Sequence, residues 1–337
     1  MSAKWYLGTG AQNDVVVSTS IHLVRNLREF PFPQMLSLQD KLKVNAIIKE
    51  AAESLTDYNF NYLEMKMLSQ YEVVSLAERH LVSPEFASSR DGRALLITED
   101  EAVSVMLNEE DHIRFQVMYA AFSLDEAYRT ANEIDNALSQ KLNFAYDERI
   151  GYLTQDPTII GTGMKASVVL HLPGLVSLMQ IPKLISTVQK LGLTLRGSYG
   201  EGAAAKGDMF QLSNSITLGI SERAAIENLK SIALQIAAQE RAAREEILKS
   251  NVTEDKIFRA YGTLRYARLI DTDELMELMS LVRLGAVKGL INMDTVKIED
   301  MMINMQPATI SLSVDRPLDR NGRDALRAKR VREMLEL

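Results

Sequence analysis

Four short stretches of this 337-residue chain carry side chains able to do chemistry. In Asn108-Glu109-Glu110-Asp111-His112-Ile113-Arg114, three acids precede a guanidinium. On charge alone such a run reads as a solvated turn. Here it follows an apolar strand pattern and ends on Arg114, so one strand end can present a carboxylate to a cationic acceptor and a guanidinium to an anionic donor. Gly151–Leu175 contains a turn after Pro157, the Gly161-Thr162-Gly163 loop, Lys165, and an apolar run ending at Pro173-Gly174. A glycine loop feeding directly into a cation suggests an anion held there, with the opposite charge supplied by Asp156. Arg196-Gly197-Ser198-Tyr199-Gly200-Glu201-Gly202 is a tight loop or a close backbone approach to a ligand, and a plain glycine-rich turn fits it equally well. Arg323 and Arg327 fall one helical turn apart with Asp324 beside them. They form either a charged helix face or a small pocket in which arginines grip phosphate while Asp324 meets a cation.

Stepping outward, periodicity predicts the elements that position these residues. Asp14–Asn26 opens with a β-branched strand and Glu29–Pro33 breaks regular structure. Ser37–Leu55 reads as a helix with Leu42, Ala46, Ile47 and Ala51 on its apolar face, and Val73–His80 as a second. Arg93–Thr98 and Val103–Asn108 read as strands joined at Glu99–Glu101. Ser123–Leu142 reads as a helix with Ser123 and Glu126 at capping-box spacing. A helix over Val176–Leu191, strands over Thr194–Tyr199 and Phe210–Leu218, and a long helix capped by Ser221 follow. From Ser250 onward every signal is helical: Lys256–Leu269, Thr272–Val287 (started by Asp271 with Glu274), Asp294–Asn304 and Gly322–Leu335. The expected fold is α+β: a mainly antiparallel sheet flanked by helices over residues 12–250, then an all-helical domain over 255–337.

Composition narrows the function classes. The chain is 46% hydrophobic and 25% charged, ordinary for a globular protein, and long enough for one large or two modest domains. With no cysteine, thiolate nucleophiles, disulfides and thiolate metal sites all drop out. Its four histidines, His22, His80, His112 and His171, lack ligand spacing, so no metal site is expected. A net charge of −7 argues against general nucleic-acid binding. No apolar run approaches the ~20 residues of a membrane span, and the N-terminus has no signal-peptide core, so a cytoplasmic protein is expected.

Taken together and in order, these segments resemble the ATP:guanido phosphotransferase (phosphagen kinase) family, most closely its bacterial protein-arginine kinase branch. The likeness covers roughly Asp14–Leu335. It rests on the NEEDHIR run at Asn108–Arg114, on His80–Pro84, on Gly151–Leu175, on Arg196–Gly202, and on Arg323–Ala328, which matches a phosphoarginine-binding motif. The resemblance implies in-line transfer of the ATP γ-phosphoryl group to an arginine side chain with Mg2+, chemistry that depends on positioning and charge neutralisation. Glu110 and Glu201 match the carboxylates that orient and deprotonate the guanidinium. Arg114 and Arg196 match phosphate-clamping arginines, and Ser18 and His80 fall in segments matching the nucleotide side. The expected partners are protein arginine or phosphoarginine side chains. A homodimer, a zinc-binding activator protein and a protease or chaperone system are implied by resemblance alone.

The departures fall in the catalytic machinery. Where the family has Ser-Ser-Arg-Ile-Arg, this chain has Ser18-Thr19-Ser20-Ile21-His22. Ser20 is uncharged, and His22 is mostly neutral at pH 7. Lys165 replaces a third arginine and loses its bidentate fork. Asp156 replaces a cysteine whose thiolate polarises the guanidinium. Each lost charge-stabilising group costs ~10²–10³ in rate, so transfer is expected to be lost or strongly weakened. The alternative expectation is a pseudokinase that binds phosphoarginine as an adaptor or regulator through Arg323, Asp324 and Arg327.

Overall fold

The computed structural model describes residues 4–198, 205–314 and 317–336. The strands are β1 (Val16–Arg25), β2 (Asn61–Glu64), β3 (Ala94–Ile97), β4 (Val103–Leu107), β5 (Ile113–Ala120), β6 (Tyr146–Asp147), β7 (Gly151–Tyr152), β8 (Met164–His171), β9 (Leu193–Gly197) and β10 (Met209–Asn214). Eight of them form one sheet in the order β2-β3-β4-β5-β1-β8-β10-β9, antiparallel at every pairing, while β6 and β7 make a separate hairpin. The helices are α1 (Leu38–Ala52), α2 (Gln70–Glu78), α3 (Pro84–Ser88), α4 (Leu124–Ser139), α5 (Pro173–Ser177), α6 (Ile181–Lys190), α7 (Glu222–Ile247), α8 (Asn251–Tyr266), α9 (Thr272–Val287), α10 (Thr295–Asn304), α11 (Pro307–Leu312) and α12 (Arg320–Glu336). The α+β expectation holds, and the described residues after Ser250 form only helices and their connections.

Strand alternation sets the architecture, because successive side chains point to opposite faces. Ile21, Leu23, Phe115, Val117, Ala166, Val168, Leu170, Phe210 and Leu212 share one face and build the main core with apolar residues of α1, α4 and α7. The opposite face carries Ser18, Ser20 and His22 on β1, Arg114 and Gln116 on β5, Lys165 and Ser167 on β8, and Gln211 on β10. A second core, including Leu264, Leu275, Met279, Ile298, Met301, Ile310 and Val331, joins α8 to α12 and reaches this side through Met209.

Two fully buried guanidiniums tie α7 and α9 to the sheet. Arg244 pairs with Glu240 at 2.7 Å and donates to the carbonyls of Asp14 and His171. Arg283 donates to the carbonyls of Asn13 and Asp14 and pairs with Glu299 at 3.1 Å. Both guanidiniums face His171 Nδ1, which accepts, so Nε2–H donates to Ser280 Oγ, and Ser280 in turn donates to Asp208. Burial and the two neighbouring cations hold His171 well below the usual imidazole range.

Several local expectations change. Helix α1 is rolled: Val44, Ile48 and Ala51 are buried, whereas Leu42 and Ile47 are exposed. The roll brings Asn45 inward to bond the Gly92 carbonyl and the Asn108 amide, satisfying polar groups that Leu42 could not. Ser123 does not cap α4; its hydroxyl bonds the Ala120 carbonyl instead. The expected Phe210–Leu218 strand stops at Asn214, and Ile216 and Leu218 are exposed. The Val176–Leu191 helix is interrupted between α5 and α6. Strands β2, β5, β6, β7 and β8 and helices α3 and α11 were not anticipated, β5 because its alternation begins inside the charged run.

Candidate nucleotide-binding site

Polar residues of the sheet converge on a cavity of about 220 Å³. Ser18, Ser20, His22, His80, Arg114 and Lys165 all line it, together with Gln116, Gln211 and, from α10, Glu299 and Met302. Antiparallel register puts His22 opposite both Gln116 and Lys165, and Ser20 opposite Ser167, so β1 runs through the middle of the floor. The Ser20 and Ser167 hydroxyls lie 2.7 Å apart, and Gln211 donates to Ser167 at 2.8 Å. Ser20 therefore belongs to a neutral hydrogen-bonded row across β1, β8 and β10.

The charged end is built from Arg114 and Lys165, with Arg196 next to them on the exposed edge. Arg114 Nη1 pairs with Glu109 at 3.0 Å, and the Ser83 hydroxyl also donates to Glu109. Arg114 Nε is buried without a partner among the described residues. Lys165 makes no hydrogen bond or ion pair among the described residues. Desolvation, Arg114 and Arg196 depress its pKa, and Asp156 opposes them. Burial, Arg114 and Lys165 hold His22 well below its ordinary value, and its Nδ1 has no partner among the described residues. His80 is pushed down to about 4 by desolvation. Lys165, with Arg114 and Arg196 beside it, makes this end of the cavity suited to an anion: a polyanion would offset the repulsion that helps to depress Lys165.

The other expected residues are placed differently. Glu110 is exposed at the strand end and absent from the cavity lining, while Glu109 is buried at its rim. Asp156 is half-buried, and its two carboxylate oxygens accept from the Thr158 backbone N–H and hydroxyl, each at 2.8 Å, so it folds its own turn. Glu201 lies outside the described residues. The Gly161-Thr162-Gly163 loop does not line the cavity, and backbone crossing demands its glycines. A Cβ on Gly161 (φ +105°) would stand 2.4 Å from the Thr217 carbonyl oxygen, and one on Gly163 (φ +58°) 2.7 Å from Arg25. Of Gly151–Leu175, Lys165 and Val169 reach the site.

On α12, Arg327 is fully buried. It donates to the carbonyls of Met305 and Ile270 and pairs with Asp324 at 2.7 Å. Arg323 is half-buried and donates to the Leu318 carbonyl. Among the described residues no three His, Asp or Glu side chains converge as a metal site. A magnesium ion carried on nucleotide phosphates needs no such cluster, since it keeps waters and phosphate oxygens as ligands. No described helix is long and apolar enough to cross a membrane.

Sequence reading missed Glu299, which comes from a helix more than 270 residues from β1. Burial raises its pKa to about 7, against the pull of Arg283. A folded-state pKa above the unfolded 4.5 means the native state holds the extra proton between those values, so this contribution grows as pH falls through 7. Relative to Glu299→Gln, the parent protein is expected to gain about 2 kcal/mol between pH 7 and pH 5. Urea unfolding at both pH values measures this, and a constant difference would show that Glu299 does not take up the proton.

The fold is that of the ATP:guanido phosphotransferases. The family model "ATP:guanido phosphotransferase, C-terminal catalytic domain" matches residues 43–243, and "Protein-arginine kinase McsB C-terminal domain" matches 250–337. The protein-arginine kinase of Desulforamulus reducens is 42% identical over 99% of this chain and 95% of its own length, and that of Brevibacillus brevis is 40% identical over 99% and 96%. The duplicated taurocyamine kinase of Schistosoma mansoni superposes with a TM-score of 0.62 at 27% identity, over 69% of this chain and 34% of that one. Lombricine kinase shares the fold, with a TM-score of 0.60 at 23% identity over 68% and 67%. This chain belongs to the protein-arginine kinase family.

Proposed function

We propose that the cavity takes ATP with its phosphates toward Arg114, Lys165 and Arg196, and that transfer to protein arginine is strongly weakened. In this reading residues 12–250 supply the cationic end of the nucleotide site and the guanidinium side, and 255–337 supply the phosphoarginine side together with the α10 wall of the cavity. The observation that carries it is the middle of the floor: a desolvated, neutral His22 and a Ser20 bonded to Ser167, where the family pattern has two arginines. Three cations facing a tetra-anionic nucleotide leave transition-state charge undercompensated, at ~10²–10³ in rate for each missing group. Such losses need not multiply, because clamp groups act as a unit.

The test is phosphoarginine formation from ATP and magnesium with an arginine-rich protein, run beside a relative that keeps both arginines. A rate at least ~10²-fold lower is expected, and comparable turnover would refute weakening. A second reading, phosphoarginine recognition on α12, is favoured by Asp324, which Arg327 holds in place. Phosphoarginine should then raise the melting temperature, and Arg323→Ala should abolish the shift.

A further inference from the structure

The cavity has two chemically different ends, and only the cationic one is explained by phosphate. Along β1, His22 lies four residue steps from Ser18, about 13 Å at ~3.3 Å per residue. Beyond Ser18 the walls become apolar: Val17, Val169, Met209, Met302 and Ile303 line this end. Two polar atoms interrupt it. Trp5 is 8% exposed and its Nε1 is buried with no hydrogen-bond partner among the described residues. Glu299 uses one carboxylate oxygen for Arg283, and the other makes no hydrogen bond among the described residues. Trp5 packs with Ile303 in one apolar cluster, and Ile303 and Glu299 lie one turn apart on α10, so both polar groups border the same apolar end. Trp5 lines the cavity, and an orphaned indole N–H in a well-packed protein is costly, so an acceptor brought by a ligand would satisfy it.

We propose that Trp5 and Glu299 form a base-recognition end of the cavity, reading the amino and ring-nitrogen edge of adenine. The proposal rests on the reading above that a nucleoside triphosphate occupies the cationic end. One free carboxylate oxygen suits one donor, which adenine supplies as its exocyclic amine, and the adjacent ring nitrogen accepts from the indole N–H. A 6-oxo purine presents an acceptor where adenine presents that donor, setting its oxygen against the carboxylate. The apolar walls, rich in methionine, suit the faces of a flat heteroaromatic ring. In this arrangement the C-terminal helical segment contributes directly to the nucleotide site.

Calorimetric titration of the full chain with ATP, purine riboside triphosphate, inosine triphosphate and inorganic tripolyphosphate tests this. In the parent protein ATP should bind about 10-fold tighter than purine riboside triphosphate, which lacks only the amine, and inosine triphosphate should bind weakest of the three nucleotides. Glu299→Gln should narrow the ATP to inosine triphosphate ratio, because a carboxamide can donate as well as accept. A merely structural loss would weaken both alike. Trp5→Phe should weaken ATP about 5-fold and leave tripolyphosphate unchanged. If the parent protein binds ATP, purine riboside and inosine triphosphates equally, base recognition here is overturned and the phosphate site stands. If tripolyphosphate and every nucleotide fail to bind, both readings fall. The ligand series on the parent protein decides the matter even if a variant does not fold.

Discussion

Arg25→Met is expected to cost 3–5 kcal/mol of stability, because it strands a buried carboxylate. Arg25 is fully buried and grips Asp135 bidentately, Nε to Oδ1 at 2.9 Å and Nη2 to Oδ2 at 2.7 Å. Its remaining donor bonds the carbonyls of Val24 and Thr162, and its plane lies 3.4 Å from the Tyr152 ring centroid. This single side chain thus joins β1, α4, β7 and the Gly161–Gly163 loop. Removing it leaves Asp135 in a low-dielectric site and withdraws the donor that holds the Thr162 carbonyl. Lys165 follows that loop directly, so triphosphate affinity should fall along with stability. The double variant Arg25→Met/Asp135→Leu should recover most of the stability, since an apolar pair can replace a buried ion pair at little cost. Urea unfolding of the three proteins measures this, and a double variant no more stable than the single one would show that the loop contacts, not the stranded charge, dominate.

Arg25 also shows what could be read from sequence. The glycine loop was visible as a motif, but its glycines answer to a backbone crossing and a buried arginine. Both of those are long-range contacts that no local spacing reveals. The β-branched run after Asp14 was legible as a strand, but that His22 and Lys165 share a face follows only from the β1–β8 register. Where alternation started inside a charged run, β5 went unseen, and Gln116 with it. Asp156 was legible as a replacement but not as a turn, because its Asx-type bonds to Thr158 compete with any role toward a ligand. Glu299 and Trp5 carry no motif at all. Their place in the cavity follows from how helices after Ser250 pack against the sheet, a tertiary fact that periodicity cannot encode.

That packing can be tested at its centre. Arg283→Met is expected to lose 3–5 kcal/mol, because Glu299, the Asn13 and Asp14 carbonyls and His171 Nδ1 all lose a buried donor at once. Two of these losses report separately. With one cation gone, His171 becomes easier to protonate, so its imidazole pKa should rise from its depressed position. Glu299 loses the only interaction that lowers its pKa with a full positive charge, so its pKa should climb above 7 and the carboxyl should be neutral at physiological pH. A double-mutant cycle with Glu299→Gln isolates the pair, and a coupling of about 0.5–3 kcal/mol is expected for residues in one buried network. The accompanying prediction concerns the ligand: a neutral Glu299 donates where the ionised one accepts, so Arg283→Met should shift purine preference from ATP toward inosine triphosphate. Equal loss of affinity for both nucleotides would instead mean that Arg283 acts only by anchoring the start of β1.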